Sequence, residues 1–196
     1  MIAPGDLQEI IERALAAALR ELKHLAPPDP QICLHEAAHV VVSWVVSDTP
    51  LLGVGVRDDG SGFTLRADVD ADVGDDAALL RQRVERRIVG VLAAAFVDPQ
   101  YERNLLGKRR GFSDLRAVDF LAGLVVAREA RSAFLAPLRE IAREAVHDNR
   151  FLIEVVAGML RCERVLIGSD VERALAARGF RCDYGLQPLL SRVTPG

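Results

Sequence analysis

Apolar residues recur along much of the chain at the three-to-four-residue interval of a single helix face. Leu7, Ile10, Ile11, Leu15, Leu19 and Leu22 keep that interval behind Asp6 and Glu9, a capping-box-like start, and the run stops before Ala26-Pro27-Pro28-Asp29-Pro30. Asp29 followed by Pro30 supplies a cap and a first helical residue, which predicts a second helix to about Val46. The character then changes. Residues 51–57 and 62–68 are short β-branched or alternating runs around Asp58-Asp59-Gly60-Ser61, and their spacing predicts a β-hairpin. After an acidic stretch ending at Asp76, helices are predicted over residues 77–97, 114–130, 133–149 and 151–161. A loop across 107–111 precedes the second of these, and a short helix runs from Gly168 to Ala177. No period survives beyond Gly179. The predicted class is mainly α (α+β), a helical bundle with a small β-hairpin or sheet beside the second helix. An amphipathic helix and linker occupy 1–28, one domain spans 29–178, and 179–196 is an irregular tail.

Composition sharpens this picture. Half of the 196 residues are hydrophobic but only 5% are aromatic, so the core must be built from Ala, Leu, Val and Ile, as closely packed helices require. The net charge of -3 and a pI near 5.8 give no electrostatic commitment to nucleic acid or to an anionic membrane. Basic runs at 81–87 and 108–110 interleave with acidic or apolar neighbours and read as a solvated helix face and a loop. Asp70, Asp72, Asp75 and Asp76 lack the closing Glu of a calcium loop and read as a solvated segment capping the next helix. Cys33, Cys162 and Cys182 are an odd set with no CxxC spacing, which argues against a disulfide framework and suits a reducing compartment. The first ten residues do not read as a signal peptide, and the longest apolar runs, 40–46 and 89–97, fall short of the roughly 20 residues that span a bilayer. A soluble, cytoplasmic chain without a membrane span is expected.

Chemistry concentrates in the second predicted helix. His35 and His39 stand one helical turn apart, so both imidazoles leave the same face and can grip one ion. Glu36, about 100° round the helix from His35, can reach a water on that ion without ligating it. His35-Glu36-Ala37-Ala38-His39 is thus an HExxH arrangement, with two His ligands and a Glu general base, and zinc is the expected cofactor. Ile32, Val40, Val41 and Trp44 furnish the apolar opposite face that such a helix needs. A catalytic zinc usually takes a third protein ligand. The residues after the motif have neither the Gly nor the His of HExxHxxGxxH enzymes. His24 and His147 remain available, although surface or core positions suit both.

The HEAAH helix, a short hairpin, an Ala-rich helix and then Gly111-Phe112-Ser113-Asp114-Leu115 resemble the peptidase domain of the FtsH-type zinc metallopeptidases. Asn149-Arg150-Phe151-Leu152, Met159-Leu160, Val165-Leu166-Ile167-Gly168 and Asp170-Val171-Glu172 are similar to the ending of those domains. The resemblance extends over roughly residues 32–175. It implies that His35, His39 and Asp114 bind zinc and that Glu36 is the catalytic base acting on zinc-bound water; Asp119 and Asp98 are the other carboxylates that could stand in as third ligand. It also implies hydrolysis of peptide bonds in flexible or unfolded polypeptide, with residues 51–57 or their hairpin partner offering an edge strand to an extended substrate. A homo-oligomer and a separate ATPase are the implied partners. The departures are specific. There is no GxxxxGKS/T loop, Ala38 stands where the family has Gly, and residues 90–96 replace a GGRAAEE segment, without its Arg and acidic pair. The missing nucleotide-binding loop and the altered 90–96 segment favour a second expectation, a catalytically weak or inactive zinc-binding module that holds peptides without turnover.

Overall fold

The structure, a computed structural model, describes residues 27–47, 50–57, 59, 61–66, 76–97 and 112–177. The expected N-terminal helix with His24, the acidic stretch before Asp76, Asp98, the basic run 108–110, Cys182 and the tail lie outside the described residues.

Helix α1, Pro30–Val46, begins as its sequence dictates. Asp29 Oδ1 accepts a hydrogen bond from Gln31 N at 2.8 Å, and Pro30 fills a position whose missing N–H costs nothing. The helix buries Ile32, Cys33, Ala37, Ala38, Val40, Val41, Val42, Trp44 and Val46, which together cover nearly its whole circumference. A helix buried around nearly its whole circumference belongs in the interior. Accordingly α1 is the axis of the fold, packed by helices α2 (Ala77–Leu92), α4 (Arg131–Asp148) and α5 (Arg150–Glu163) and by strands β1 (Leu51–Val56) and β2 (Gly62–Arg66).

The predicted hairpin is present. Strands β1 and β2 pair antiparallel with Val54 opposite Thr64 and Gly55 opposite Phe63, and Asp59 closes the turn by accepting from Ser61 N at 2.8 Å. A third strand, β3 (Val165–Ile167), pairs antiparallel with the other edge of β1, giving the order β2-β1-β3. This strand was not expected from the sequence, because three apolar residues between two helices carry no period. It exists because β1 has N–H and C=O groups on both sides; Val56 N donates to Arg164 O at 2.8 Å just before β3 starts. One expectation is thereby corrected. The Leu51–Val56 strand is central and cannot offer an edge, so of the hairpin pair only β2 can.

Asp76 caps α2, its Oδ1 accepting from both Ala78 N and Leu79 N. The helix stops at Leu92 and tightens into a 3-10 turn, Ala93–Phe96, rather than continuing to residue 97. Helix α3, Phe112–Gly123, starts two residues before the predicted Asp114 and ends well before residue 130, where apolar Leu124, Val125 and Val126 imitated a continuing helix. Their amides instead bond the carbonyls of Leu121 and Ala122. A second 3-10 turn, Arg128–Ala130, leads directly into α4, and helix α6, Gly168–Ala176, follows β3.

These elements share one core. Ile88, Ile153, Leu160 and Leu175 are among its largest fully buried side chains. Each such residue contributes about 1.5–3 kcal/mol of transfer free energy, so the core can carry a few buried polar groups. No described helix is long and apolar enough to cross a membrane. In the basic run on α2, Arg81 and Arg87 are exposed and Arg83 and Arg86 half-buried; Arg81 pairs with Glu85 at 2.9 Å and lies over the Phe134 ring.

Candidate metal centre

One turn of α1 brings the His35 and His39 rings together edge to face, with centroids 4.8 Å apart, and sets their Nε2 atoms 3.2 Å apart. Asp114 arrives from a different element. Helix α3 packs on α2, which packs on α1. In α3, residues 114, 118 and 122 share a stripe at four-residue spacing. Val118 and Ala122 are buried, so the same stripe carries Asp114 inward. Its Oδ2 lies 3.2 Å from His35 Nε2 and 3.5 Å from His39 Nε2.

Three donor atoms of the right chemistry therefore form a triangle with edges of 3.2, 3.2 and 3.5 Å. A tetrahedral ion with ligand bonds of ~2.0–2.1 Å has edges of about 3.3–3.4 Å between its ligand atoms. The residues fit a small divalent ion, and among the described residues they are the one such group of His, Cys, Asp or Glu. The other candidates are placed elsewhere. Asp119 sits about 140° further round α3 than Asp114; it is largely exposed and accepts a hydrogen bond from Arg131 at 2.6 Å. His147 is exposed on α4, beside a cavity it shares with Phe96, Arg143, Val146 and Arg150. Cys33 is fully buried; burial pushes its thiol up to about 11, against the lowering effect of Arg161, so it is no thiolate.

The surroundings orient the donors. His39 Nδ1 lies 3.0 Å from the carbonyl oxygen of Gly90 on α2. A carbonyl can only accept, so Nδ1 carries the hydrogen and the neutral ring keeps its Nε2 lone pair for the cluster. Gly90 leaves room for the Ser43 hydroxyl on α1: a Cβ there would overlap that hydroxyl and press on Ser43 Cβ. Burial lowers the His39 pKa, but the hydrogen bond and charge of Asp114, the charge of Glu36 and the Gly90 carbonyl outweigh it, and the net result is about 9. For Asp114 burial acts upward, while hydrogen bonds from His35 and His39 hold the carboxyl well below its usual range.

Glu36 is one of two charged residues among those buried in the described part of the chain. Its Oε1 is 4.0 Å from His35 Nε2, beside the cluster and outside it, and its Oε2 accepts from Thr64 Oγ1 at 3.1 Å. Sequence reasoning thus identified His35, Glu36, His39 and Asp114, and the fold brings all four together. It missed Gly62, Thr64 and the Gly90 carbonyl. Only Gly90 left a trace, as a glycine inside an apolar helical run.

No family model matches the chain, and no curated protein matches it.

Proposed function

We propose that the chain is a zinc-dependent peptidase-like domain of the FtsH type, acting on peptide bonds in flexible or unfolded polypeptide. The observation that carries this reading is the triangle of His35 Nε2, His39 Nε2 and Asp114 Oδ2, with the Glu36 carboxylate held beside it. Among the described residues the set is two nitrogens and one carboxylate oxygen, and three protein ligands with a fourth position left to water is the pattern of catalytic zinc sites; structural sites close theirs. A zinc ion held by these residues supplies a Lewis acid and lowers the pKa of water there. The chain's own contribution is proton handling and orientation. Glu36 is the base: its cluster-facing Oε1 takes a proton from the water that attacks the peptide carbonyl and returns it to the leaving amine nitrogen. Strand β2 places its edge next to Glu36 through Thr64, so an extended polypeptide that adds a strand to β2 lies along the site. Delivery of unfolded chain by a separate ATPase, and assembly as a homo-oligomer, belong to the same proposal.

A second reading is a zinc-binding module that holds peptides without turnover. The turn Ala93–Phe96 favours it, since Ala93 and Ala94 are buried in the core and give the site no charged group. The buried Glu36 favours the enzyme, because simple metal or peptide retention has no use for a buried carboxylate. Metal analysis of the purified protein, followed by hydrolysis of unfolded casein with and without a chelator, separates the two. Bound zinc with chelator-sensitive cleavage supports the peptidase; bound zinc with peptide binding and no cleavage supports the module.

A further inference from the structure

The HExxH helix does not hold its glutamate in place alone. Two residues of strand β2 act on the Glu36 side chain, and they do so from the two sides of one strand position. Thr64 Oγ1 donates to Oε2 at 3.1 Å. Gly62, two residues earlier and on the same face of the strand, leaves the space that the carboxylate occupies: a Cβ built there would overlap Oε1, Cδ and Cγ of Glu36. A buried carboxylate without a partner is costly, and its rotamers are several. The Thr64 hydroxyl removes the cost at one oxygen and selects the rotamer in which the other faces His35 Nε2.

We propose that Thr64 is a positioning residue for the base, holding the Glu36 carboxylate in the rotamer that turns one oxygen toward the metal cluster, with Gly62 as the gap that makes this placement possible. The inference rests on the peptidase reading for its catalytic consequence and on geometry alone for the placement. Register strengthens it. Thr64 is opposite Val54, which is fully buried in central strand β1, so the hydroxyl sits at a paired strand position rather than on a free loop.

The test compares Thr64→Val, which keeps shape and removes the hydroxyl, with Thr64→Ser, which keeps the hydroxyl. Crystal structures of both zinc-loaded variants give the placement directly. The proposal expects the Glu36 carboxylate to leave its position in the Val variant and to keep it in the Ser variant. A Glu36 that stays in place in the Val variant overturns it. In parallel, zinc affinity should stay within about twofold for both. With unfolded casein as substrate, kcat should fall on the order of 10–100-fold in the Val variant at nearly constant KM, and return to within about threefold of wild type in the Ser variant. A Val variant with wild-type kcat, or one that loses zinc, also overturns the proposal. If the wild-type protein cleaves nothing, the peptidase reading fails, while the crystallographic comparison still decides the placement. Should the Val variant not fold, Thr64→Ala provides the same removal with less bulk and the same expected displacement.

Discussion

The imidazole of His39 on α1 and the backbone carbonyl of Gly90 on α2 meet at 3.0 Å, beside a glycine whose added Cβ would overlap the Ser43 hydroxyl of α1. The missing side chain at Gly90 thus lies where a metal-orienting contact and the packing of the two helices coincide. Gly90→Ala should push the helices apart against Ser43, costing about 1–3 kcal/mol as overpacking does. Loss of the His39 contact should weaken zinc binding by about 10–100-fold. Adding Ser43→Ala removes the hydroxyl that the new Cβ meets first and should restore part of both. Thermal melts and competitive zinc titration measure the two effects; an unchanged zinc affinity in Gly90→Ala would show that the carbonyl does not orient the ring.

The third ligand can be decided by one pair of variants. Asp114→Asn removes a carboxylate that both imidazoles touch, so zinc affinity should fall by more than the 10–100-fold typical of an outer-shell change. Asp119→Asn breaks only an exposed pair with Arg131 and should shift stability by less than about 1 kcal/mol, with one zinc still bound per chain. Equal zinc loss in both variants would remove Asp114 from its role.

How much of this was legible beforehand depends on where the signal sits. The spacing of His35, Glu36 and His39 is local, and a helix converts it directly into a shared face. Asp29-Pro30 and Asp76 announced two helix starts through their own side chains. Asp114 came only from resemblance, since its inward direction depends on the stripe it shares with Val118 and Ala122 and on α2 lying between α3 and α1. Strand β3 was invisible because its reason to exist is the unpaired side of β1, far away in sequence. Thr64 and Gly62 were invisible for the same cause: a threonine and a glycine in a hairpin look ordinary until the sheet is laid against α1. The helix ends at Leu92 and Gly123 were overrun because apolar residues continue past both.

Protonation gives a pH signature. With His39 raised from 6.5 to about 9, its stabilising contribution to the metal-free chain is fully present below pH 6.5 and is lost as the pH rises through 9. Asp114 is depressed from 3.8, so its contribution is present above that pH and is lost on acidification. Zinc must displace the His39 proton. The increase in melting temperature on adding zinc should therefore grow between pH 6.5 and 9. Calorimetric titration at pH 7.5, in buffers of different ionisation enthalpy, should show release of about one proton per zinc from this group. A binding enthalpy independent of the buffer would contradict the His39–Asp114 pairing.

The last prediction separates holding a metal from using it. Glu36 lies 4.0 Å from His35 Nε2 and outside the triangle of donors, so Glu36→Gln removes a base without removing a ligand. Glutamine is close in shape and can still receive the Thr64 hydroxyl at its amide oxygen, which keeps the neighbourhood intact. Zinc content and melting temperature should stay near wild type. Hydrolysis of unfolded casein should fall by about 10²–10⁴-fold, the range that a positioned acid-base group contributes. Loss of zinc in this variant would mean that Glu36 ligates the ion, and the site would then be a closed four-ligand structural one. Retained hydrolysis with retained zinc would move the base elsewhere and leave the buried carboxylate a structural partner of β2. Only zinc kept and turnover lost makes the HEAAH helix a catalytic device.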